Sequence, residues 1–238
     1  MKSVPNHDSA PVPATGADRV RMKVCGVTQP RQATALRQMR VDFLGLNFHP
    51  PSPRFIEPEI ARSLVEAWGE PASSVGVFVD RSAEEILACQ DIAGFGIAQL
   101  HGSESSETIV AVARRLPVIR AFRVQDSGSL EVARRQIDAV ESAGVSLFAV
   151  LIDGYSPNAH GGTGQTVAED LVRQAVALHP RLILAGGLRP GNLAERLKWI
   201  RPWCVDVASG VESAPGIKDL AAVEVMWRCI REISGDLC

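Results

Sequence analysis

Paired cysteines are the first thing this sequence lacks. Its five cysteines, at 25, 89, 204, 229 and 238, include no CxxC and no cluster with histidine. That argues against a zinc site and a disulfide framework, and for a reducing cytoplasm. A long apolar run is missing too, since nothing approaches the roughly 18 residues needed to span a bilayer. Net charge is small, a formal −2 from 25 basic and 27 acidic side chains. There is no basic field for nucleic acid, so neither nucleic acid nor a membrane is an expected partner and small anions must be handled locally. No GxGxxG follows the first strand, which weakens a dinucleotide site. His7, His49, His160 and His179 lack the mutual spacing of metal ligands, and Asp153 with Asp206 offers too few hard ligands for a cage.

What is present is a repeating unit. Residues 1–19, with three prolines and no apolar periodicity, read as a disordered leader without the apolar core of a secretory signal. Beyond them, short β-branched runs start near Val20, Asp42, Ser74, Gly96, Val118, Leu147, Arg181 and Cys204. Amphipathic helical patterns follow at 29–40, 57–69, 82–92, 104–115, 129–142, 167–178, 191–200 and 217–233. Ser82 with Glu85, Ser103 with Ser106 and Glu107 nearby, and Pro190 supply helix-start signals. Alternating strands and helices mean parallel βαβ units. Eight of each in 238 residues predict a single α/β domain over 20–238, a closed (βα)8 TIM barrel.

Barrels of this kind place chemistry at the C-terminal ends of their strands. Strand 1 ends at Cys25-Gly26, and alternation sets Arg21, Lys23 and Cys25 on one face against Val20, Met22 and Val24 on the other. Taken alone, Cys25 reads as a core cysteine. Its neighbours at the rim change that. Strand 4 ends Gln99-Leu-His101-Gly102, strand 6 ends at Asp153, strand 7 runs into Gly186-Gly187 and strand 8 into Ser209-Gly210. A glycine-rich loop, Gly161-Gly162-Thr163-Gly164, follows strand 6. Glycines after strands 7 and 8, with Ser209-Gly210 starting a short helix, predict an anion site of backbone N–H groups, of the kind that takes phosphate in these barrels.

Cys25 and Asp153 close strands 1 and 6, so they face each other across the barrel mouth and suit a general base and a general acid on one substrate. A thiol titrates near about 8.5 and has to be shifted to act as a base at neutral pH. Lys23, on the same face, is placed to stabilise the thiolate. Asp206 points inward on strand 8, beside strand 1, so Lys23 and Asp206 form a candidate pair whether its purpose is structural or functional. Arg54, in the proline-stiffened loop after strand 2, has the fork that grips a carboxylate. His101 either orients a hydroxyl or is simply a satisfied histidine.

These residues resemble one family over about residues 21 to 219. The carriers are Lys23-Val-Cys-Gly-Val-Thr28, Ser52-Pro-Arg54, Val75-Gly-Val-Phe-Val79, Gln99-Leu-His-Gly102, Gly161-Gly-Thr-Gly164, Ala185-Gly-Gly-Leu188 and Asp206-Val-Ala-Ser-Gly-Val-Glu212 with Pro215-Gly-Ile-Lys-Asp219. In this order the chain resembles the phosphoribosylanthranilate isomerases of tryptophan biosynthesis. The resemblance implies a cofactor-free Amadori rearrangement of a phosphorylated aminosugar, with Asp153 as acid and Cys25 as base. Arg54 would hold the anthranilate carboxylate. The other substrate-binding positions would be His101, Asp206, Gly162, Thr163, Gly164, Gly186, Gly187, Ser209 and Gly210. Asp153 must start protonated, and its Leu151-Ile152 setting is expected to favour that. The chain departs from the family at Thr166-Val-Ala-Glu-Asp170, where an aromatic-Asp-Trp stretch is usual.

Two alternatives stay open on sequence. One is the related histidine-pathway aminoaldose isomerase, which carries an aspartate where Cys25 stands. The other is a barrel that binds a sugar phosphate without turnover. Monomer and homodimer are equally open.

Overall fold

The computed structural model describes residues 19–153, 171 and 174–234. Eight parallel strands close into a barrel in chain order. They are β1 (Arg21–Cys25), β2 (Phe43–Asn47), β3 (Ser74–Phe78), β4 (Ile97–Leu100), β5 (Val118–Arg123), β6 (Ala149–Asp153), β7 (Leu182–Leu184) and β8 (Cys204–Val207). Around them run α1 (Pro30–Gln38), α2 (Pro58–Trp68), α3 (Ala83–Ala93), α4 (Ser106–Ala113), α5 (Ser127–Ser142), α6 (Leu193–Trp199) and α7 (Leu220–Ser234). The predicted 167–178 helix is represented by helical residues at 171 and 174–176.

The helices form where the pattern places them. In α2, Pro58 occupies the first turn, where its missing N–H costs nothing, and Gly69 ends the helix at φ 74°. Ala61, Leu64, Val65 and Trp68 recur at three- and four-residue steps and are all buried against the barrel. Truncating Leu64 to alanine would cost about 2–5 kcal/mol, the range for an emptied core site. Ser82 and Glu85 cap α3 reciprocally, as their spacing predicts.

Helix starts shift by one to three residues from expectation, and two of the shifts have a clear cause. The cap of α4 is Ser105, not Ser103, because the Ser103 N–H donates to Asp80 Oδ1 and Glu104 is buried on Arg120. The last helix begins at Leu220, not 217. The preceding residues instead form a small antiparallel hairpin, β9 (Glu212–Ala214) with β10 (Ile217–Lys218), turned by Gly216 at φ 79°.

Alternation divides the core in two. Val75, Ile97, Ile119, Ala149, Leu151, Ile183 and Cys204 fill the barrel interior with Phe43. Residues of opposite parity, such as Met22, Val24 and Leu44, pack against the helices. The N-terminal end is plugged by Phe43, Phe148 and Trp203, with the Trp203 ring 5.5 Å from Phe43 and 5.8 Å from Phe148. Arg21 lies 4.8 Å over the same Trp203 ring. A floor closed this way leaves the opposite rim for chemistry.

The seam of the barrel is β1 against β8, in a register that sets Lys23 beside Asp206. Arg19, the last residue assigned to the leader, reaches Asp42 with Nη2 2.6 Å from Oδ1 and lies over Trp227.

Candidate active site

A cavity of about 260 Å³ opens at the C-terminal rim. The strand ends deliver its lining: Cys25 from β1, Gln99 and His101 from β4, Asp153 from β6, Gly186 and Gly187 after β7, Asp206 from β8, and Ser209 and Gly210 after it, with Arg54 from the loop after β2. The structure therefore gathers all but three of the predicted site residues. Gly162, Thr163 and Gly164 lie outside the described residues, as does the departure at Thr166 to Asp170.

Lys23 is fully buried inside the barrel, and its Nζ donates to Asp206 Oδ2 at 2.8 Å. Burial alone would lower its pKa, but Asp206, and to a lesser degree Cys25, overcome that and raise it. The thiol of Cys25 goes the other way from what the sequence suggests. Burial pushes it up, Asp206 adds to that, and the pull of Lys23 and Lys218 toward the thiolate does not compensate. Lys23 thus moderates the thiol without making it a thiolate in the open site.

Asp153 ends β6 directly above inward-facing Leu151, whereas Ile152 belongs to the outer core. Its Oδ2 is 3.3 Å from His101 Nε2, an ion-pair distance whose angles are not those of a hydrogen bond. His101 Nδ1 is in turn 3.2 Å from Gln99 Nε2. Among the described residues, Gln99 Oε1, His101 Nε2 and Asp206 Oδ1 are buried polar atoms with no hydrogen-bond partner. All belong to side chains lining this cavity, and buried polar groups left open in this way are suited to receive the hydroxyls and amine of a substrate.

The glycine turns differ in one respect from expectation. Ser209-Gly210 opens no helix beyond a single 3-10 turn, Ser209–Val211. The chain is pinned there because a Cβ on Gly210 would overlap the Leu188 carbonyl oxygen. What remains is close backbone: Gly186 and Gly187, at φ 98° and 61°, bring the end of β7 against this turn.

Arg54 holds a partner the sequence reading missed. Its Nε and Nη2 donate to the two oxygens of Glu212 at 2.8 and 2.6 Å. Lys218 Nζ reaches Glu212 Oε1 at 2.5 Å. The Pro215-Gly216 turn signal marks the hairpin that brings these residues back, where the sequence pattern predicts a helix from 217. Asn47, inward at the end of β2, was also missed and lines the cavity.

A larger cavity, about 510 Å³, borders Arg120, Arg123 and Ser129. The buried Arg120 guanidinium there is already committed to Gln136, Glu104 and the carbonyls of Leu100 and Gly102 at 2.7–3.0 Å. That network ties β5 to its neighbours and offers a ligand little.

With its floor plugged and its ionisable groups collected at the other rim, the molecule is built as a (βα)8-barrel enzyme. Comparison with known proteins specifies which. The family model for N-(5'-phosphoribosyl)anthranilate (PRA) isomerase matches residues 22–227, and the chain belongs to that family. It is 42% identical to N-(5'-phosphoribosyl)anthranilate isomerase of Geobacter sulfurreducens over 209 residues, 88% of this chain and 97% of that protein. The phosphoribosyl anthranilate isomerase of Thermus thermophilus superposes with a TM-score of 0.74 at 34% identity, covering 90% of this chain and 100% of that one. A solved phosphoribosyl anthranilate isomerase in complex with reduced 1-(o-carboxyphenylamino)-1-deoxyribulose 5-phosphate superposes with a TM-score of 0.76 at 30% identity, covering 90% and 99%. The histidine-pathway and non-catalytic alternatives are set aside by this membership.

Proposed function

We propose that Cys25 and Asp153 are the base and acid with which this barrel isomerises N-(5'-phosphoribosyl)anthranilate to 1-(2-carboxyphenylamino)-1-deoxy-D-ribulose 5-phosphate in tryptophan biosynthesis. The observation that carries this assignment is their convergence, with Arg54 and the glycine turns after β7 and β8, on one cavity. In the first step the Asp153 carboxyl gives its proton to the furanose ring oxygen. The C1'–O bond breaks as the anilino nitrogen pushes in, leaving an open-chain iminium. The Cys25 thiol gives up its proton to solvent and, as the thiolate, takes the C2' proton, and the electron pair of that bond forms C1'=C2' while the iminium is neutralised. The enolamine gains a proton at C1' and loses one from the C2' hydroxyl to give the aminoketose.

The raised thiol fits this order of events. A thiol raised by burial is a strong base once ionised, and the iminium cation is the charge that favours its ionisation after ring opening. Arg54 holds the anthranilate carboxylate, and Gly186, Gly187, Ser209 and Gly210 receive the phosphate. Gly162, Thr163 and Gly164 are assigned to the phosphate as well. Asp206 Oδ1 and His101 Nε2, both open, take ribose hydroxyls. No cofactor is required by these steps. We place the reaction in the cytoplasm, where a reducing environment keeps Cys25 a free thiol, with the enzyme acting as monomer or homodimer.

Purified chain supplied with N-(5'-phosphoribosyl)anthranilate is expected to form the aminoketose. Cys25→Ala and Asp153→Asn are each expected to slow turnover by about 10²–10⁴, the usual worth of a positioned acid or base. Wild-type turnover in both variants would remove the acid–base assignment.

A further inference from the structure

Arg54 does not stand alone at the cavity. Its side edge, Nε with one N–H of Nη2, is occupied by Glu212, whose side chain is only 5% exposed. Glu212 Oε1 also accepts from Lys218 Nζ at 2.5 Å and from the Gly216 N–H at 3.2 Å. The end edge of the guanidinium, Nη1 with the second N–H of Nη2, is left for a ligand, because Nη1 has no hydrogen-bond partner among the described residues. A guanidinium has five N–H donors in a fixed plane, so clamping one edge fixes the direction of the other.

Charge is the second part of the arrangement. An Arg54–Glu212 pair by itself sums to zero and would attract a carboxylate weakly. Lys218, its side chain fully enclosed, adds the missing positive charge and restores the group to +1. Its Nζ lies 3.4 Å from the Ala208 carbonyl, and Gln32 holds its backbone through bonds of 2.9 and 3.2 Å. The aliphatic part of Arg54 lies on Gly26, where an added Cβ would meet Arg54 Cδ, so the arginine is packed from below as well.

We infer that Glu212 and Lys218 are positioning residues for substrate recognition. Glu212 aims the free edge of Arg54 into the cavity, and Lys218 cancels the charge of Glu212 so that the arginine meets the substrate carboxylate with its charge undiminished. The inference rests on the assignment of Arg54 to that carboxylate.

The test compares two ligands by inhibition: reduced 1-(o-carboxyphenylamino)-1-deoxyribulose 5-phosphate, and the same compound with hydrogen in place of the carboxylate. Lys218→Met is expected to weaken the first by roughly tenfold, the scale of a lost charge-assisted contact, and the second by less than about twofold. Lys218→Gln still donates to Glu212 but carries no charge, so it supports the fold at this point and is expected to give the same selective loss. Lys218→Arg is expected to restore wild-type discrimination. Glu212→Gln, which turns an N–H toward a guanidinium that needs an acceptor, is expected to lose the carboxylate ligand selectively too. If the Lys218 variants weaken both ligands equally, or neither, while Arg54→Ala loses the discrimination, the inference is overturned and Arg54 keeps its role. If Arg54→Ala itself still distinguishes the two ligands, the carboxylate assignment is wrong and the inference goes with it.

Discussion

Lys23 and Asp206 stand side by side across the seam that closes the barrel, with Nζ 2.8 Å from Oδ2 and both side chains nearly sealed from solvent. The last strand is thus joined to the first by an ion pair as well as by the ladder. Lys23→Met leaves a buried carboxylate without its cation, and removing one partner of such a pair costs about 3–5 kcal/mol. Denaturant unfolding at neutral pH is expected to show that loss. The pair also sets a pH limit. Lys23 holds its proton more tightly folded than unfolded, so its contribution is complete below the ordinary lysine value of 10.5 and is lost as pH rises above it. Wild-type stability is expected to fall in that alkaline window more steeply than that of Lys23→Met.

Thiol labelling reads the environment of Cys25. Because burial raises its pKa above the ordinary thiol value, alkylation is expected to be slow at pH 7 and to keep accelerating as pH rises beyond 9.0. Cys89, pushed up to about 12 by burial, is expected to lag behind it. Reduced 1-(o-carboxyphenylamino)-1-deoxyribulose 5-phosphate should slow labelling at Cys25 and leave Cys89 unchanged. Peptide mapping after timed labelling distinguishes the two, and equal protection would place Cys25 outside the substrate site.

Arg54 is expected to act in binding and not in the chemical step. Arg54→Ala should raise KM by about ten- to a hundredfold, the worth of a charge-assisted contact, with kcat close to wild type. A collapsed kcat at unchanged KM would contradict that division of labour.

Gly210 tests the close approach of the two turns proposed to receive the phosphate. A Cβ there would overlap the Leu188 carbonyl oxygen, and backbone cannot swing aside as a long side chain can. Gly210→Ala is expected to weaken inhibition by inorganic phosphate several-fold with a smaller change in thermal stability. Unaltered phosphate inhibition would mean that this turn is not where phosphate sits.

The barrel was legible because each βα unit writes its own signal: a short inward–outward alternation, then an apolar stripe at helical spacing. Strand parity alone brought Lys23 to Asp206, and the ends of β1 and β6 brought Cys25 and Asp153 to one cavity. What stayed hidden depended on competition among local signals. Ser103 and Ser105 are both good caps, and only the tertiary bond from Ser103 to Asp80 decides between them. Glu212 and Lys218 are six residues apart at the edge of a predicted helix, their meeting depends on a local hairpin, and the Arg54 they meet over lies 158 residues from Glu212 in sequence. The direction of the Cys25 shift was equally out of reach, because it is the balance of burial against Lys23 and Lys218 that decides it.

The acid–base assignment is tested most directly by substrate carrying deuterium at C2'. In wild-type enzyme the label is expected to leave C2' during turnover, with a primary isotope effect if that step limits the rate. Purified Cys25→Ala, shown folded by its unfolding transition, is expected to leave the label in place. Loss of deuterium from C2' at the wild-type rate in Cys25→Ala would contradict the account.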